Sequence, residues 1–574
     1  MYSDLKPQTR GLKTRTLWIL AVIGLIVFIL HQIVPTTASE TLQVEQSTQV
    51  ITKEQAKEAA VQFAESTLGL TGPFTDALVT YETRADVYGY LTREGFMEDY
   101  LKKYEKQFPY DIFQVRMNKP GGLLKAITVD IHMTTGKAVG FKEYPETGFP
   151  DLEGLGGVSS EADAAASGVQ GLSWEEKLAL AQPYLKSLGY SDDMQSSVGE
   201  TPEGLSLTLV GYEVGKANAQ IDIHYFDGQV SEIDSYFSVP QSHTDYVKGQ
   251  TTLANWLTYV GYALLTFVLG ILAIVYSAIT RVHTSFKRGI VLASLYFIIS
   301  MGSALNMMPY FEKEGLSGAL LIFGLVFQAV VTLVLAASVY FSLVGGDGLW
   351  RKQGINLWPR AKEQGYGRHV LKSMADGYAW ALILLGVQSV IFFILERTIH
   401  TWSTTDASQS PYNMIYPALL PLLAWVAGIG EEAVYRLFGI PMLKKMFKST
   451  LVASIITTLI WAFGHTLYPI YPVISRPIEL LIIGLLFSYI FLRYGFIAVL
   501  FSHVIFDSIL MSLSIMFTGG TLNITAGIFY IALPAIVAFV IYLFNPPGKE
   551  RPSAPLPKKE EPLFTTPHHP EGHL

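Results

Sequence analysis

Ten apolar stretches, each near the length of a bilayer crossing, dominate this chain. The first, residues 17–34, reads LWILAVIGLIVFILHQIV. Nine more follow at roughly 253–280, 289–309, 317–345, 376–398, 415–440, 450–468, 477–493, 495–516 and 524–545. A helix of about 20 apolar residues crosses a hydrocarbon core of about 30 Å. In lipid it also satisfies its own backbone hydrogen bonds. The expected fold class is therefore mainly α, a polytopic membrane helix bundle of about ten spans. At 574 residues, with 50% hydrophobic content and a mean hydropathy of +0.33, the chain is too apolar for an ordinary soluble protein and too long for one domain.

Charge tests the count. Lys6, Arg10, Lys13 and Arg15 precede the first stretch, which puts residues 1–16 in the cytoplasm and makes 17–34 an anchor. A cleaved signal peptide ending near Ala38 is the rival reading, but the apolar run is longer than a usual signal core. Alternating from there, the inner loops carry Arg281, Lys287, Arg288, Arg351, Lys352, Arg360, Lys362, Arg368, Lys372, Lys444, Lys445, Lys448 and Arg493. The outer loops and helix ends carry only Lys313, Arg397 and Arg476. This asymmetry supports both termini in the cytoplasm and a multi-pass protein of the cell membrane. The loop 346–375, with Trp350, Arg351, Lys352, Trp358 and Arg360, suits an anionic headgroup surface. The tail 546–574, rich in Pro, Lys and Glu and holding His568, His569 and His573, reads as a disordered cytoplasmic segment.

Residues 35–250 contain no spanning stretch and are expected outside the cytoplasm as an α+β domain of two repeats, about 51–150 and 172–240. Thr52 with Gln55, and Ser173 with Glu176, have the spacing of a capping box that opens a helix. Downstream, Val129–Gly136 and Ile221–Gly228 alternate like strands and then turn at glycine. Their histidines, His132 and His224, read as surface residues beside a turn. Residues 153–171, rich in Gly, Ser and Ala, read as the linker. Helix followed by antiparallel strands, twice over, resembles the PepSY-type module of bacterial cell-surface proteins. The chain has no cysteine, so disulfides, thiolate catalysis and cysteine zinc sites are excluded. The net charge of −7 leaves no nucleic-acid footprint.

Three apolar segments of the C-terminal half carry polar residues. The first holds Gly430-Glu431-Glu432-Ala433-Val434-Tyr435-Arg436, the second Trp461 and His465, the third His503 and Asp507. A charge at a helix centre costs about 2.5–3.5 kcal/mol on insertion scales, so such residues mark function or a specific buried partner. Four residues apart on a helix, Glu432 and Arg436 share a face and can neutralise each other. Glu431 points about 100° away and lacks that partner, which suits it to act as a general base. Gly428 and Gly430 permit close helix approach. His503 and Asp507 also share a face. Counted along straight helices, Glu431 and His503 reach similar depth, and His465 lies deeper.

These three motifs, in this order, resemble those of the CPBP intramembrane proteases, which include the CAAX prenyl endopeptidases and bacterial enzymes linked to bacteriocin processing and self-immunity. The resemblance covers residues 376–545 and leaves 1–375 unexplained. It implies peptide hydrolysis inside the membrane, on a membrane peptide or protein substrate. Glu431 and His465 would activate water. His503 would stabilise the oxyanion, assisted by Asp507, while Glu432 and Arg436 would hold and tune the site. Trp461 stands where the family often has Phe, a change expected to matter little. Asp507 stands where the eukaryotic enzymes have Asn; ionised, it cannot donate to an oxyanion, so it orients His503 or ligates a metal. Glu431, His465 and His503 form a possible zinc set, although the Glu431, Glu432, Arg436 pattern fits a metal-free mechanism as well, and we favour the latter. A membrane scaffold or immunity-type regulator sensing through the external domain is the alternative. A transporter, the third class, would show repeat symmetry among the later spans, and none is visible. Nothing in the sequence sets an oligomeric state.

Overall fold

The computed structural model describes residues 11–33, 50–119, 124–145, 168–191, 194–202 and 204–546. Among these, nine helices are long and apolar enough to cross a membrane: Thr14–Ile33, Gln241–Ile279, Arg288–Asn306, Gly318–Lys352, Tyr366–Ile399, Pro417–Phe447, Ser475–Tyr494, Phe496–Phe517 and Thr521–Phe544. The tenth expected stretch, 450–468, forms only the 14-residue helix Thr450–Phe463. At 1.5 Å per residue that is about 21 Å, well short of a crossing. The Ser449 side chain caps its start, and a turn takes over from Gly464. Irregular backbone at membrane depth is tolerated where protein covers it. Here the turn packs on the Gln241–Ile279 helix: the Thr466 hydroxyl donates to the Ala254 carbonyl at 3.1 Å. A Cβ on Gly464 would lie 2.6 Å from the Tyr262 ring.

Two ends of the bundle are nevertheless distinct. At one end, residues 402–413 and 470–473 meet the external domain and the start of the Gln241–Ile279 helix: Ile470–Tyr471 pairs with Trp402–Ser403, and Gln250 accepts from the Val473 amide at 2.8 Å. At the other end, Leu12 donates to the Tyr494 hydroxyl at 2.8 Å, and Phe496 to the Leu357 carbonyl at 2.8 Å. The loop expected to face headgroups is bound inward instead. Trp350 and Trp358 are buried. Buried Asp347 takes Arg351 at 2.8 Å and Arg288 at 3.3 Å, and Arg288 and Arg351 both donate to the Trp358 carbonyl at 2.9 Å. A buried carboxylate needs cations more strongly than a headgroup layer does.

Enclosure differs sharply among the helices. In Phe496–Phe517, 72% of the most apolar window is buried, against 11% in Gly318–Lys352. The centre of the bundle therefore lies on the helix that carries His503, while Gly318–Lys352 turns leucine, valine and phenylalanine outward, as lipid contact demands.

The α+β domain expected outside the cytoplasm is built on a single eight-stranded antiparallel sheet with order β1-β2-β3-β4-β8-β7-β6-β5. The strands are β1 (Thr75–Thr83), β2 (Asp111–Asn118), β3 (Leu124–His132), β4 (Ala138–Pro145), β5 (Ser196–Glu200), β6 (Gly204–Val214), β7 (Ala217–Phe226) and β8 (Gln229–Ser238). Each set of four follows a helix, Lys53–Ser66 and Trp174–Ser187, and both helices open with a complete capping box, at Thr52/Gln55 and Ser173/Glu176. The two sets join where β4 pairs with β8. Above that seam Phe141 touches Phe63 of one repeat helix and Tyr184 of the other. The two matched sequence segments fall on β3 and β7, the third strand of each set. Two helices absent from the second repeat, Ala85–Glu94 and Met97–Lys103, interrupt the first between β1 and β2. His132 is not at the surface: it is buried with Nε2 3.3 Å from Glu105. The linker 153–167 and the tail from 547 lie outside the described residues.

The sheet edge is tied to the bundle. An edge strand presents unpaired backbone groups. At β1 the Asn413 carboxamide satisfies them, accepting from the Tyr81 amide at 2.7 Å and donating to the Tyr81 carbonyl at 2.9 Å. Lys313 pairs with Glu82, and Thr404 donates to the Ala85 carbonyl at 2.5 Å. Replacing Asn413 by Ala is therefore expected to accelerate amide exchange at Tyr81 by at least tenfold, about 1.4 kcal/mol of lost protection, read by hydrogen–deuterium exchange of the full-length protein.

On the open face of the sheet, burial, with Asp234 nearby, pushes the Asp130 carboxyl up to about 6. An acid whose folded value lies above its unfolded value favours folding while protonated. That contribution is complete below about pH 4 and is lost as pH rises to about 6. Asp130→Asn should thus stabilise the external domain against the wild type at pH 7 and match it near pH 4, in thermal unfolding followed at both values. A gain confined to pH 4 contradicts the assignment.

Candidate active site

The Pro417–Phe447 helix changes pitch at the site. It is α-helical over Leu423–Glu431 and π-helical over Glu432–Gly439, then α-helical again. π segments inside α-helices recur at functional sites. Despite the wider turn, Glu432 and Arg436 still meet: Arg436 Nη1 lies 2.9 Å from Glu432 Oε1, and both side chains are fully buried. Just before them, Gly428 lets the Phe496–Phe517 helix come close, since a Cβ there would lie 2.6 Å from Val504.

Aromatic rings wrap the guanidinium. Arg436 lies over the Trp461 ring at 4.5 Å and the Phe487 ring at 5.3 Å, contacts favourable to a cation out of water. Gly484 supplies the room, because a Cβ there would be 3.0 Å from Arg436 Nη2 and 2.4 Å from Thr458. The other face of this cluster is His503. Its ring stacks on Phe487 at 4.5 Å, and its Nδ1 is 2.7 Å from Glu432 Oε1. Glu432 therefore accepts from arginine and histidine at one oxygen.

With Nδ1 held by Glu432, His503 Nε2 faces Asp507 Oδ2 at 3.3 Å and Glu431 Oε2 at 3.6 Å. The Trp461 indole N–H donates to Glu431 Oε2. His465 sits 3.8 Å from Glu431 Oε1 through Nε2, and its Nδ1 donates to the Trp461 carbonyl at 3.0 Å. Exposure is graded. Glu432 and Arg436 are sealed and His503 is 4% exposed, whereas Glu431, Asp507 and His465 are 25%, 19% and 18% exposed. The reachable side of the cluster is thus lined by one free-facing imidazole edge and two carboxylates.

All six polar residues singled out in the sequence meet here. Two expectations change. His465 is not on a helix: the helix before it ends at Phe463, and the turn brings the imidazole back to the level of Glu431. Its extra depth, counted along a straight helix, therefore disappears. Trp461 is not mere packing, because its N–H reaches Glu431, a bond Phe cannot make. Phe487, which separates Arg436 from His503, was not anticipated; one aromatic in an apolar helix carries no distinguishing signal. Among the described residues, no group of three or more His, Asp or Glu side chains has an arrangement fit to hold a metal ion.

Residues 413–509 match the model of the type II CAAX prenyl endopeptidase Rce1-like family, and all six residues fall inside that span. The chain is also 30% identical, over 149 residues, to the sporulation-killing factor biosynthesis protein SkfC of Bacillus subtilis (strain 168). That alignment covers 24% of this chain and 28% of the relative, so the chain spans little more than a quarter of that protein's length. No solved structure matches. The family likeness read from the motifs thus holds over residues 413–509.

Breaking a buried ion pair on one side costs about 3–5 kcal/mol, because a lone charge remains. Arg436→Met should lower stability by about that much, and adding Glu432→Gln should recover part of it, since Gln still accepts from His503. Reversible unfolding in detergent with the three variants checks this. A double variant no better than the single one contradicts the pairing.

Proposed function

We propose that this protein is an intramembrane endopeptidase that hydrolyses a peptide bond of a membrane-associated peptide or protein, with Glu431 and His465 activating water and His503 and Asp507 serving the oxyanion side. The observation that carries the reading is the approach of two imidazole Nε2 atoms, 3.8 and 3.6 Å, to the two oxygens of one partly exposed carboxylate. The match of residues 413–509 to a CAAX-type endopeptidase family supports it. Glu431 accepts the water proton. His465, whose Nδ1–H is committed to the Trp461 carbonyl, offers an Nε2 lone pair to the same water. A separation of 3.8 Å exceeds a direct hydrogen bond and suits a shared water. Attack on the scissile carbonyl develops an oxyanion. An imidazolium at His503 has two donors, one for Glu432 and one for that oxygen, and Asp507 orients the second. The proton held by Glu431 passes to the leaving amine. Fixed donors at a developing oxyanion supply a large part of such catalysis.

The basic loops support a cytoplasmic location for both termini and for the end of the bundle carrying Arg288, Arg351 and Lys445. Residues 50–240 then lie outside the cytoplasm, docked on the opposite end.

In proteoliposomes presented with fluorogenic membrane peptides, His465→Ala and His503→Ala should each lower cleavage on the order of a hundredfold or more, with unchanged thermal unfolding. A chelator should leave the wild-type rate unchanged. Equal cleavage by wild type and both variants contradicts the proposal, and chelator loss reversed by zinc replaces the water step with a metal-assisted one.

A further inference from the structure

Two ionisable side chains that the water-activating scheme leaves unused lie beside His465. Glu479 is fully buried and Arg476 partly so. The sequence suggests an outer-loop position for Arg476. In the structure it lies in the first turn of the Ser475–Tyr494 helix, with Nη1 2.6 Å from Glu479 Oε2. Gln388 donates to the other carboxylate oxygen at 2.9 Å. The carboxylate is thus fixed from two helices, and it fixes the guanidinium in turn.

Arg476 then lies over the Tyr468 ring, 5.4 Å from its centre. Tyr468 stacks on the imidazole of His465, centres 5.8 Å apart and planes 15° from parallel. On its other side His465 meets the Trp461 ring edge-on at 5.2 Å. His465 needs such walls. It sits on a turn, where no helical ladder on its C-terminal side restrains it, and sites on turns are held less firmly than sites on helices. A half-rotation of its ring would put Cδ2 where Nδ1 now meets the Trp461 carbonyl and Cε1 where Nε2 now faces Glu431, so both polar contacts would be lost.

We infer that Arg476, anchored by Glu479 and acting through Tyr468, is a positioning residue that fixes the ring of His465 for peptide hydrolysis. This rests on the endopeptidase reading above. The layer consists of groups outside the three motifs, on the turn after Phe463 and on the next helix. It explains why a carboxylate is buried at Glu479 with no part in the chemistry. It also explains why Tyr468, an exposed aromatic at a turn, lies parallel to the imidazole.

The test uses full-length protein in proteoliposomes and two readouts. In steady-state cleavage of a membrane peptide, Tyr468→Leu and Arg476→Gln should lower kcat by about tenfold to a hundredfold with KM unchanged. Tyr468→Phe, which keeps the ring, and Arg476→Lys, which keeps the cation, should restore most of it. In nitrogen-15 spectra of histidine-labelled protein, His465 should show one tautomer, protonated at Nδ1, in the wild type and a mixture in Tyr468→Leu. Unchanged kcat in Tyr468→Leu and Arg476→Gln overturns the inference. So does a loss of kcat shared by Tyr468→Phe and Arg476→Lys and matched by a lowered thermal transition, which assigns the layer to folding alone. If the wild type cleaves no peptide, the endopeptidase reading fails and the spectra still decide: a single tautomer in Tyr468→Leu overturns the positioning role.

Discussion

One carboxylate oxygen organises the interior of this bundle. Glu432 Oε1 receives both the Arg436 guanidinium and the His503 imidazole, with all three side chains buried. Replacing a buried ion pair by apolar residues of similar volume is often neutral or stabilising, so stability alone does not account for this one. What it does is fix direction. Arg436, held by Glu432, packs against Trp461 and so sets the ring whose N–H meets Glu431. His503, held at Nδ1, has only Nε2 left to present. The reactive edge of the site thus follows from a bond on its sealed side.

Two departures from regular helix serve the same end. The π segment begins at Glu432, directly after Glu431, so the two neighbouring carboxylates leave the helix in different surroundings: one sealed against arginine, one partly exposed. The 14-residue Thr450–Phe463 helix ends inside the bundle, and the turn after it returns His465 to the level of Glu431. The π segment is buried along its whole length, and the turn is tied to the Gln241–Ile279 helix through Thr466, conditions under which non-helical backbone persists at membrane depth. At the end of the bundle that meets the sheet, the sheet's edge is completed by Asn413, four residues before the helix that carries Glu431. The sheet domain and the helix that carries Glu431 are therefore joined by a short, hydrogen-bonded segment.

Hydropathy located all nine long apolar helices of the described residues, because twenty apolar residues have few other uses, but it also marked 450–468, where the helix stops after 14 residues. Capping boxes located the two repeat helices because both halves of each box are local in sequence. The pairing of Glu432 with Arg436 was legible from spacing, and it survives the change from α to π because the two side chains are long. Three things were not legible. The early end of the helix at Phe463 depends on how Gly464 and Thr466 pack on the Gln241–Ile279 helix, a contact between segments 200 residues apart. The role of Trp461 was discounted because an aromatic in an apolar helix is ordinarily packing; its N–H was the signal that distinguished it from Phe. Arg351 and Arg476 were placed in a loop and at a helix end because their acids, Asp347 and Glu479, one turn away on the same helices, gave no local sign of pairing: Asp347 falls in the loop 346–375 and Glu479 in the apolar stretch 477–493.

The central claim is that Glu431 is the base of a hydrolytic site assembled within the membrane. The most direct measurement is the single-turnover cleavage rate of a membrane peptide in proteoliposomes, comparing wild type with Glu431→Gln, whose thermal unfolding is checked in parallel. Gln keeps the size of the side chain and still accepts from the Trp461 indole, but cannot take a proton from water. A fall on the order of a hundredfold or more in a variant that unfolds like the wild type is the predicted result. Cleavage by Glu431→Gln at the wild-type rate contradicts it.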